Sequence, residues 1–406
     1  MPTAPRPDTS PRDPERGPLH ALLREHLETF LAEREEAGAA LLRFVVEELR
    51  GYLRCGVLWA GCARFECEGC GLVRVTGLSC KGRGFCPRCC GRRMNERARH
   101  LTERVFPPGV RVRQWVLSLP FDLRWRAAFD HELALALCRI TESEVERRDR
   151  RLARAAGLRE PRGGAVTVLQ RFGSDLRTNL HLHSLALDGA DGLDASGARR
   201  FFKAPAPSPA EVERVLARIV RRAHAWLAER DGSAHDDDEL ALAQTLAAAS
   251  RAHGAQAHAP DDASEPDLGV VLLPTRRKAR IERCRSEHSD LDAEVCVQEH
   301  ERDRLEHLCR YILRPPIALD RLKSLGTDLV AIALKRPWSN GTTHVSMSVR
   351  TFLGRLAALV PRPRAHTTLY FGVLASHAKQ RARVVPTSPP RARAHDASWA
   401  ALADRS

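Results

Sequence analysis

Within the stretch QRFGSDLRTNLHLHSLALDG, His181 and His183 flank Leu182 in a run that otherwise reads as a buried strand. Residues two apart in a strand point to one face, so both imidazoles project side by side while Leu182 faces the opposite way into apolar packing. Two parallel imidazoles are either ligands awaiting a cation or two polar groups that need hydrogen-bond partners.

Cysteine supplies a second signal. Eight of the twelve cysteines fall between Cys55 and Cys90, and among them Cys67-x-x-Cys70 and Cys86-x-x-Cys89 are separated by fifteen residues. Two such knuckles are expected to close a tetrahedral thiolate site on one zinc ion, with Cys55 and Cys80 as alternates that substitute for one of the four or make a second site. A four-thiolate site leaves no position for substrate, so its role is structural. Lys81, Arg83, Arg88, Arg92, Arg93, Arg97 and Arg99 surround the second knuckle and the helix after it, with Glu96 the single carboxylate there. That much positive charge suits a phosphate backbone. The whole chain agrees in sign: its 406 residues carry a formal charge of +14, with a pI near 9.7, which favours nucleic acid as partner. Six lysines against fifty-nine arginines also point to a GC-rich coding bias, so a single arginine reads first as a solvated surface residue.

Tyrosine is scarce. Tyr311 lies in LEHLCRYILRPP, a helical run that stops at Pro315-Pro316, with Arg310 and Arg314 beside it. Taken alone it reads as a half-buried core residue. Joined to the histidines it suggests more: a divalent cation on His181 and His183 would polarise a phosphodiester, a tyrosine on a nearby helix would attack phosphorus, and the arginines would neutralise developing charge.

The elements that must position these groups follow from periodicity. Residues 1–18 read as a disordered lead without the apolar region of a secretory signal, and 19–54 as amphipathic helices with a weak point at Gly38. Residues 55–105 form the zinc-binding ribbon and basic helix, and 106–385 the main domain. In the latter, GVRVRQWVLSLP is strand-like, and residues 125–156 are helical. The runs GGAVTVLQRFG and NLHLHSLALDG make a hairpin. A helix near 209–230 precedes a flexible insertion at 231–269, and a second hairpin turns at Asn340-Gly341. Residues 386–406 read as a disordered tail. No segment approaches the ~20 apolar residues of a membrane span, so a cytoplasmic protein is expected.

The histidine pair and tyrosine together resemble the HUH endonucleases, which act on single-stranded DNA. More closely, the chain is similar to the transposases of the insertion sequence 91 family, over roughly residues 50–235 and 288–380. The resemblance rests on CEGCG, SCKGRGFCPRC, RRMNERARHL, LQRFGSDLRTNLHLHSLALDG, LCRYILRPPIALDRL, LKRPWSNGTTHV and LAALVPRPRAHTTLYFGVLASHA. It implies an α+β fold, with a central antiparallel sheet carrying the histidines and the tyrosine on a packed helix. It assigns a Mg²⁺ or Mn²⁺ ion to His181 and His183, the nucleophile to Tyr311 and zinc to the N-terminal cysteines. The implied reaction cleaves one DNA strand at an element end in rolling-circle transposition, leaving a 5′-phosphotyrosine and a free 3′-OH. The family pattern has a second tyrosine where this chain has His307, so a second subunit or the freed 3′-OH must complete the exchange. Relatives often carry His where Asp292 stands, so the third metal ligand falls to Asp292, Gln170 or His307. The competing readings are a non-catalytic zinc-ribbon DNA binder, a rolling-circle replication initiator and an inactive element copy.

Overall fold

The computed structural model describes residues 14–231, 283–286, 289–335, 337–338 and 340–386. The expected lead is thus described from Pro14 onward, where a 3-10 turn, Pro14–Arg16, runs into the first helix. Residues 1–13, the insertion after Asp231 and the tail after Pro386 lie outside the described residues.

In chain order the elements are α1 (Pro18–Glu36), α2 (Arg43–Leu53), β1 (Cys62–Glu66), β2 (Val73–Gly77), α3 (Pro87–Arg104), β3 (Val112–Ser118), α4 (Phe121–Phe129) and α5 (His131–Ala155). Then come β4 (Arg159–Arg162), β5 (Gly164–Phe172), β6 (Thr178–Leu187), β7 (Gly189–Leu193), β8 (Arg199–Lys203), α6 (Pro209–Asp231), β9 (Arg283–Ser286), β10 (Ser289–Asp292) and β11 (Cys296–Val297). The last are α7 (Arg302–Ile312), β12 (Leu322–Ser324), β13 (Leu329–Ala333), β14 (His344–Ser348), α8 (Val349–Leu359) and β15 (Thr368–Gly372). The helical pattern expected over 125–156 is two helices. Asp130 separates them, its carboxylate accepting the Leu133 N–H at 2.9 Å as the N-cap of α5.

The architecture is α+β. A seven-stranded sheet runs β15-β5-β6-β3-β10-β9, with β11 continuing along the same edge of β3 as β10. The β5–β6 hairpin pairs Val168 with His183 and Gln170 with His181, and β6 pairs onward to β3 through His183–Val116 and His181–Ser118. Directly opposed residues share a face. One face therefore carries Trp115, Leu117, Leu169, Leu182 and Leu291, which pack against α4, α5 and α6. The other carries Val112, Val166, Val168 and Leu185, which pack against Leu101 of α3 and Leu305, Leu308 and Ile312 of α7.

That two-sided burial sets the register. Leu180 and Leu182 are at most 1% exposed, each worth about 2 kcal/mol of burial. A one-residue slip would swing them to the opposite face and drive both imidazoles under α5 and α6. A third core joins α1, α2, α8 and the β12-β13-β14 sheet with Phe85, Cys86 and Cys89. Among the described residues no helix is long and apolar enough to cross a membrane.

Candidate functional site

His181 and His183 emerge on the α3/α7 face of β6, their ring centroids 6.3 Å apart. His183 is 5% exposed, and burial, then His181 and Arg314, push its imidazole down to about 3, so it is neutral at any working pH. Each Nδ1 is tied to β3. The Gln114 amide lies 3.0 Å from Nδ1 of His183, and Ser118 Oγ lies 3.3 Å from Nδ1 of His181. The Gln114 Nε2–H donates to Nδ1 of His183, and the Gln114 carbonyl oxygen is buried without a partner; Ser118 Oγ and Nδ1 of His181 share one hydrogen bond. In that arrangement the neutral His183 ring carries its proton on Nε2, and ligation of a metal through Nε2 requires the Gln114 amide to turn so that its oxygen faces Nδ1.

Tyr311 comes to this pair from α7. Its ring stands edge-on to His183 with centroids 6.1 Å apart. The Arg314 guanidinium lies 4.6 Å and the Lys335 ammonium 5.5 Å from the centre of that ring. The helix that delivers Tyr311 is held by Leu305, Leu308 and Ile312, which point into the sheet. Gln170, directly across from His181 on β5, is buried; its amide nitrogen has no hydrogen-bond partner, and its oxygen is 3.5 Å from Arg314. Asp292 shares this face but sits two strands from His183, across Val116, about 10 Å away at the usual strand spacing. Its carboxylate accepts the Glu294 N–H at 2.8 Å. His307 is exposed on α7, one turn before Tyr311.

The thiolate cluster differs from the pairing that the spacing predicts. Cys86 and Cys89 join Cys55 and Cys80, with all four sulfurs within 4.8 Å of one another. Cys67 and Cys70 stand instead in the turn at the far tip of the β1–β2 hairpin. The reason is local. Gly56 N–H donates to the Leu78 carbonyl at 2.8 Å and Leu78 N–H to that of Gly61 at 2.9 Å, so the hairpin's base lies against the Cys55 loop. The approach requires glycine: a Cβ on Gly77 would meet the Gly56 carbonyl oxygen at 2.2 Å. Cys80, three residues past β2, thereby reaches Cys55, while the tip lies about 17 Å up the strands.

The four sulfurs fit zinc. Sulfur separations of 3.7 Å for Cys55–Cys89, 3.6 Å for Cys80–Cys89 and 3.6 Å for Cys55–Cys86 match the roughly 3.8 Å edge of a zinc tetrathiolate with 2.3 Å bonds. Cys86 is the N-cap of α3, with Pro87 opening the helix, so the helix dipole favours thiolate there. Neighbouring sulfurs, Cys55 first, hold the Cys89 thiol far below its ordinary range. Glu48 on α2 accepts the Gly84 N–H at 2.6 Å and ties the loop to the core.

The basic residues divide. Arg83, Arg93, Arg97, Arg171 and Arg314 line one open cleft between α3 and β5, which Ile312 and Leu313 beside Tyr311 also line. Arg93 donates to the carbonyls of Gly82 and Lys81, and Arg83 to that of Ala365. Arg92 and Arg310 are spent on helix-surface pairs with Glu96 and Glu306. Arg88 is exposed and 3.4 Å from Thr76 Oγ1, and Lys81 is exposed at a positive φ of 56°. The spacing of the motifs did not single out Gln114 and Ser118. Their signal is parity: they are the polar residues at even positions of β3, the face opposite its buried Trp115 and Leu117.

Comparison with known families agrees with this layout. Residues 164–382, just over half the chain, match the Y2_Tnp family model, described as "Putative transposase", and residues 22–119 match the "Transposase zinc-binding domain" model Zn_Tnp_IS91. No curated protein and no solved structure matches the chain. The first model spans β5, β6 and α7, and the second spans all four clustered cysteines. Histidine strand, tyrosine helix and thiolate cluster all fall within these two spans, and the chain belongs to the insertion sequence 91 family of transposases.

Proposed function

We propose that this transposase nicks and rejoins single-stranded DNA at element ends through Tyr311, by the HUH mechanism. The observation that carries the reading is the meeting of four residues from β6, α7 and the turn after α7: Tyr311 edge-on to His183, His181 beside it, and Arg314 over the tyrosine ring. A merely structural tyrosine has no need of a histidine pair at its edge and two cations at its face.

His181 and His183, with the Gln170 side-chain oxygen as third ligand, would hold a Mg²⁺ or Mn²⁺ ion. Gln170 is preferred to Asp292 because it opposes His181 directly, whereas Asp292 lies two strands from His183. When bound, the ion supplies Lewis-acid polarisation of the scissile phosphate. The Tyr311 oxygen attacks phosphorus, the bond from phosphorus to O3′ breaks, the phenol proton leaves to solvent and O3′ takes up a proton as the free 3′-OH. The DNA 5′ phosphate stays on Tyr311 as an ester of similar energy to the bond broken, so rejoining needs no external energy source. Arg314 and Lys335, which lie over the Tyr311 ring, would neutralise negative charge that develops beside it. The arginine-lined cleft leads a flexible backbone toward the site, as single-strand binders do. With one tyrosine on α7, the second exchange falls to the freed 3′-OH or to a second copy, consistent with a rolling-circle route.

The test uses labelled single-stranded oligonucleotides carrying the element's terminal sequences, with Mg²⁺ or Mn²⁺. Wild type is expected to nick them, and His181→Ala and His183→Ala to lose at least a hundredfold in rate while retaining salt-sensitive binding. Nicking at the wild-type rate by the double variant would overturn the proposal.

A further inference from the structure

The catalytic reading leaves one well-formed feature unused, the tip of the β1–β2 hairpin. Cys67 opens a tight turn: its N–H donates to the Leu72 carbonyl at 2.9 Å, and its carbonyl accepts the Gly71 N–H at 2.8 Å. Cys70 and the backbone of Gly69 adjoin the Cys67 sulfur. Gly71 closes the turn at a φ of +69°. A tight turn that opens on one Cys and closes on a second Cys and a left-handed glycine has the backbone of a zinc knuckle. It supplies two of the four thiolates that a closed zinc site requires.

No other described residue of the same chain supplies the remaining two. Among the described residues, the one cluster of metal-ligating side chains is Cys55, Cys80, Cys86 and Cys89, which already has four sulfurs. Cys62 lies at the opposite end of the hairpin, paired with Gly77. Cys70 is exposed to solvent and Cys67 partly so. The hairpin itself is unpartnered. It is a two-stranded sheet with both edges open, and Phe65, Leu72, Val73 and Val75 are 42 to 63% exposed along it. Isolated two-stranded hairpins are marginal in water, and exposed apolar residues gathered on one element mark an interaction surface.

We propose that the Cys67–Cys70 knuckle is half of a zinc site completed by the same knuckle of a second copy of this chain. Two identical knuckles related by a two-fold axis through the metal provide the four thiolates, and the interface is self-complementary as such symmetry requires. The exposed apolar residues of the two hairpins would then cover one another around the metal. This inference does not rest on the tyrosine chemistry. If both hold, the pairing also supplies a second Tyr311 to a one-tyrosine enzyme.

The experiment measures mass in solution by light scattering together with bound metal, using the full chain with zinc alone, and Co²⁺ as a spectroscopic probe. The wild type is expected to be a dimer with about three zinc ions per two chains. The Cys67→Ser/Cys70→Ser variant is expected to be a monomer with about one zinc per chain and an unchanged circular dichroism spectrum. The Co²⁺ form should lose about a third of its thiolate-to-cobalt absorbance in that variant. A variant as dimeric as wild type would overturn the proposal. So would a monomeric wild type with one zinc per chain, or a Cys67–Cys70 disulfide found by mass spectrometry in reduced, zinc-loaded protein.

Discussion

Replacing Cys55 by serine should loosen the tightly held zinc, although Cys55 belongs to neither Cys-x-x-Cys pair. Its sulfur lies 3.7 Å from that of Cys89 and 3.6 Å from that of Cys86, so it occupies a full vertex of the tetrahedron. A structural zinc site contributes about 10–16 kcal/mol, or roughly 3 kcal/mol for each of four thiolates. Removing one should therefore weaken zinc binding somewhat more than about a hundredfold. The loss reaches stability because Cys55, Cys86 and Cys89 share a core with α1, α2 and α8. Competition with a chromogenic chelator measures the affinity, and thermal melts with and without that chelator measure the coupling. Cys55→Ser and Cys80→Ser should release the tight zinc at far lower chelator and melt early, whereas Cys67→Ser should leave that zinc in place. If Cys67→Ser releases the tight zinc and Cys55→Ser does not, the knuckles pair as their spacing suggests and the geometry described above is wrong.

Two further outcomes follow from the sheet. Gln114 orients His183 without touching DNA, so Gln114→Ala should weaken Mn²⁺ binding about 10- to 100-fold, with nicking restored at high Mn²⁺. Nicking that no Mn²⁺ concentration restores would give Gln114 a different role. Glu142 of α5 is buried against β5, where it accepts from Thr167, and burial pushes its carboxyl from about 4.5 up to about 7. The folded chain therefore holds a proton that the unfolded chain releases above pH 4.5, and stability falls as pH rises between about 4.5 and 7, by about 3 kcal/mol in all. Glu142→Gln cannot ionise, so its melting temperature should gain on wild type between pH 5 and pH 8. Parallel curves would show that Glu142 titrates normally.

Legibility varied with how locally each feature is determined. The histidine pair could be read because a two-residue period in a strand admits one outcome, and the β5–β6 and β13–β14 hairpins because apolar runs bracket their turns. The meeting of Tyr311 with His183 is a tertiary fact, and family resemblance rather than periodicity pointed to it. The cysteines were misleading for a physical reason. Sequence spacing ranks ligand pairs by proximity along the chain, but the contact of Gly56 with Gly77 brings Cys55 beside Cys80 across 25 residues. The β4-β7-β8 sheet stayed hidden because glycine and aspartate interrupt its strands, as in GADGL. Asp130 split a helix whose apolar period runs on through it.

The central claim is that Tyr311 becomes covalently bonded to DNA. Wild type and Tyr311→Phe should each be incubated with single-stranded terminal oligonucleotides and Mg²⁺ or Mn²⁺, resolved in SDS, and the adduct digested for mass spectrometry. The account predicts an SDS-resistant adduct in wild type alone, with a 5′ phosphate mapped to Tyr311. An adduct of equal yield in Tyr311→Phe, or nicking without any adduct, would contradict it.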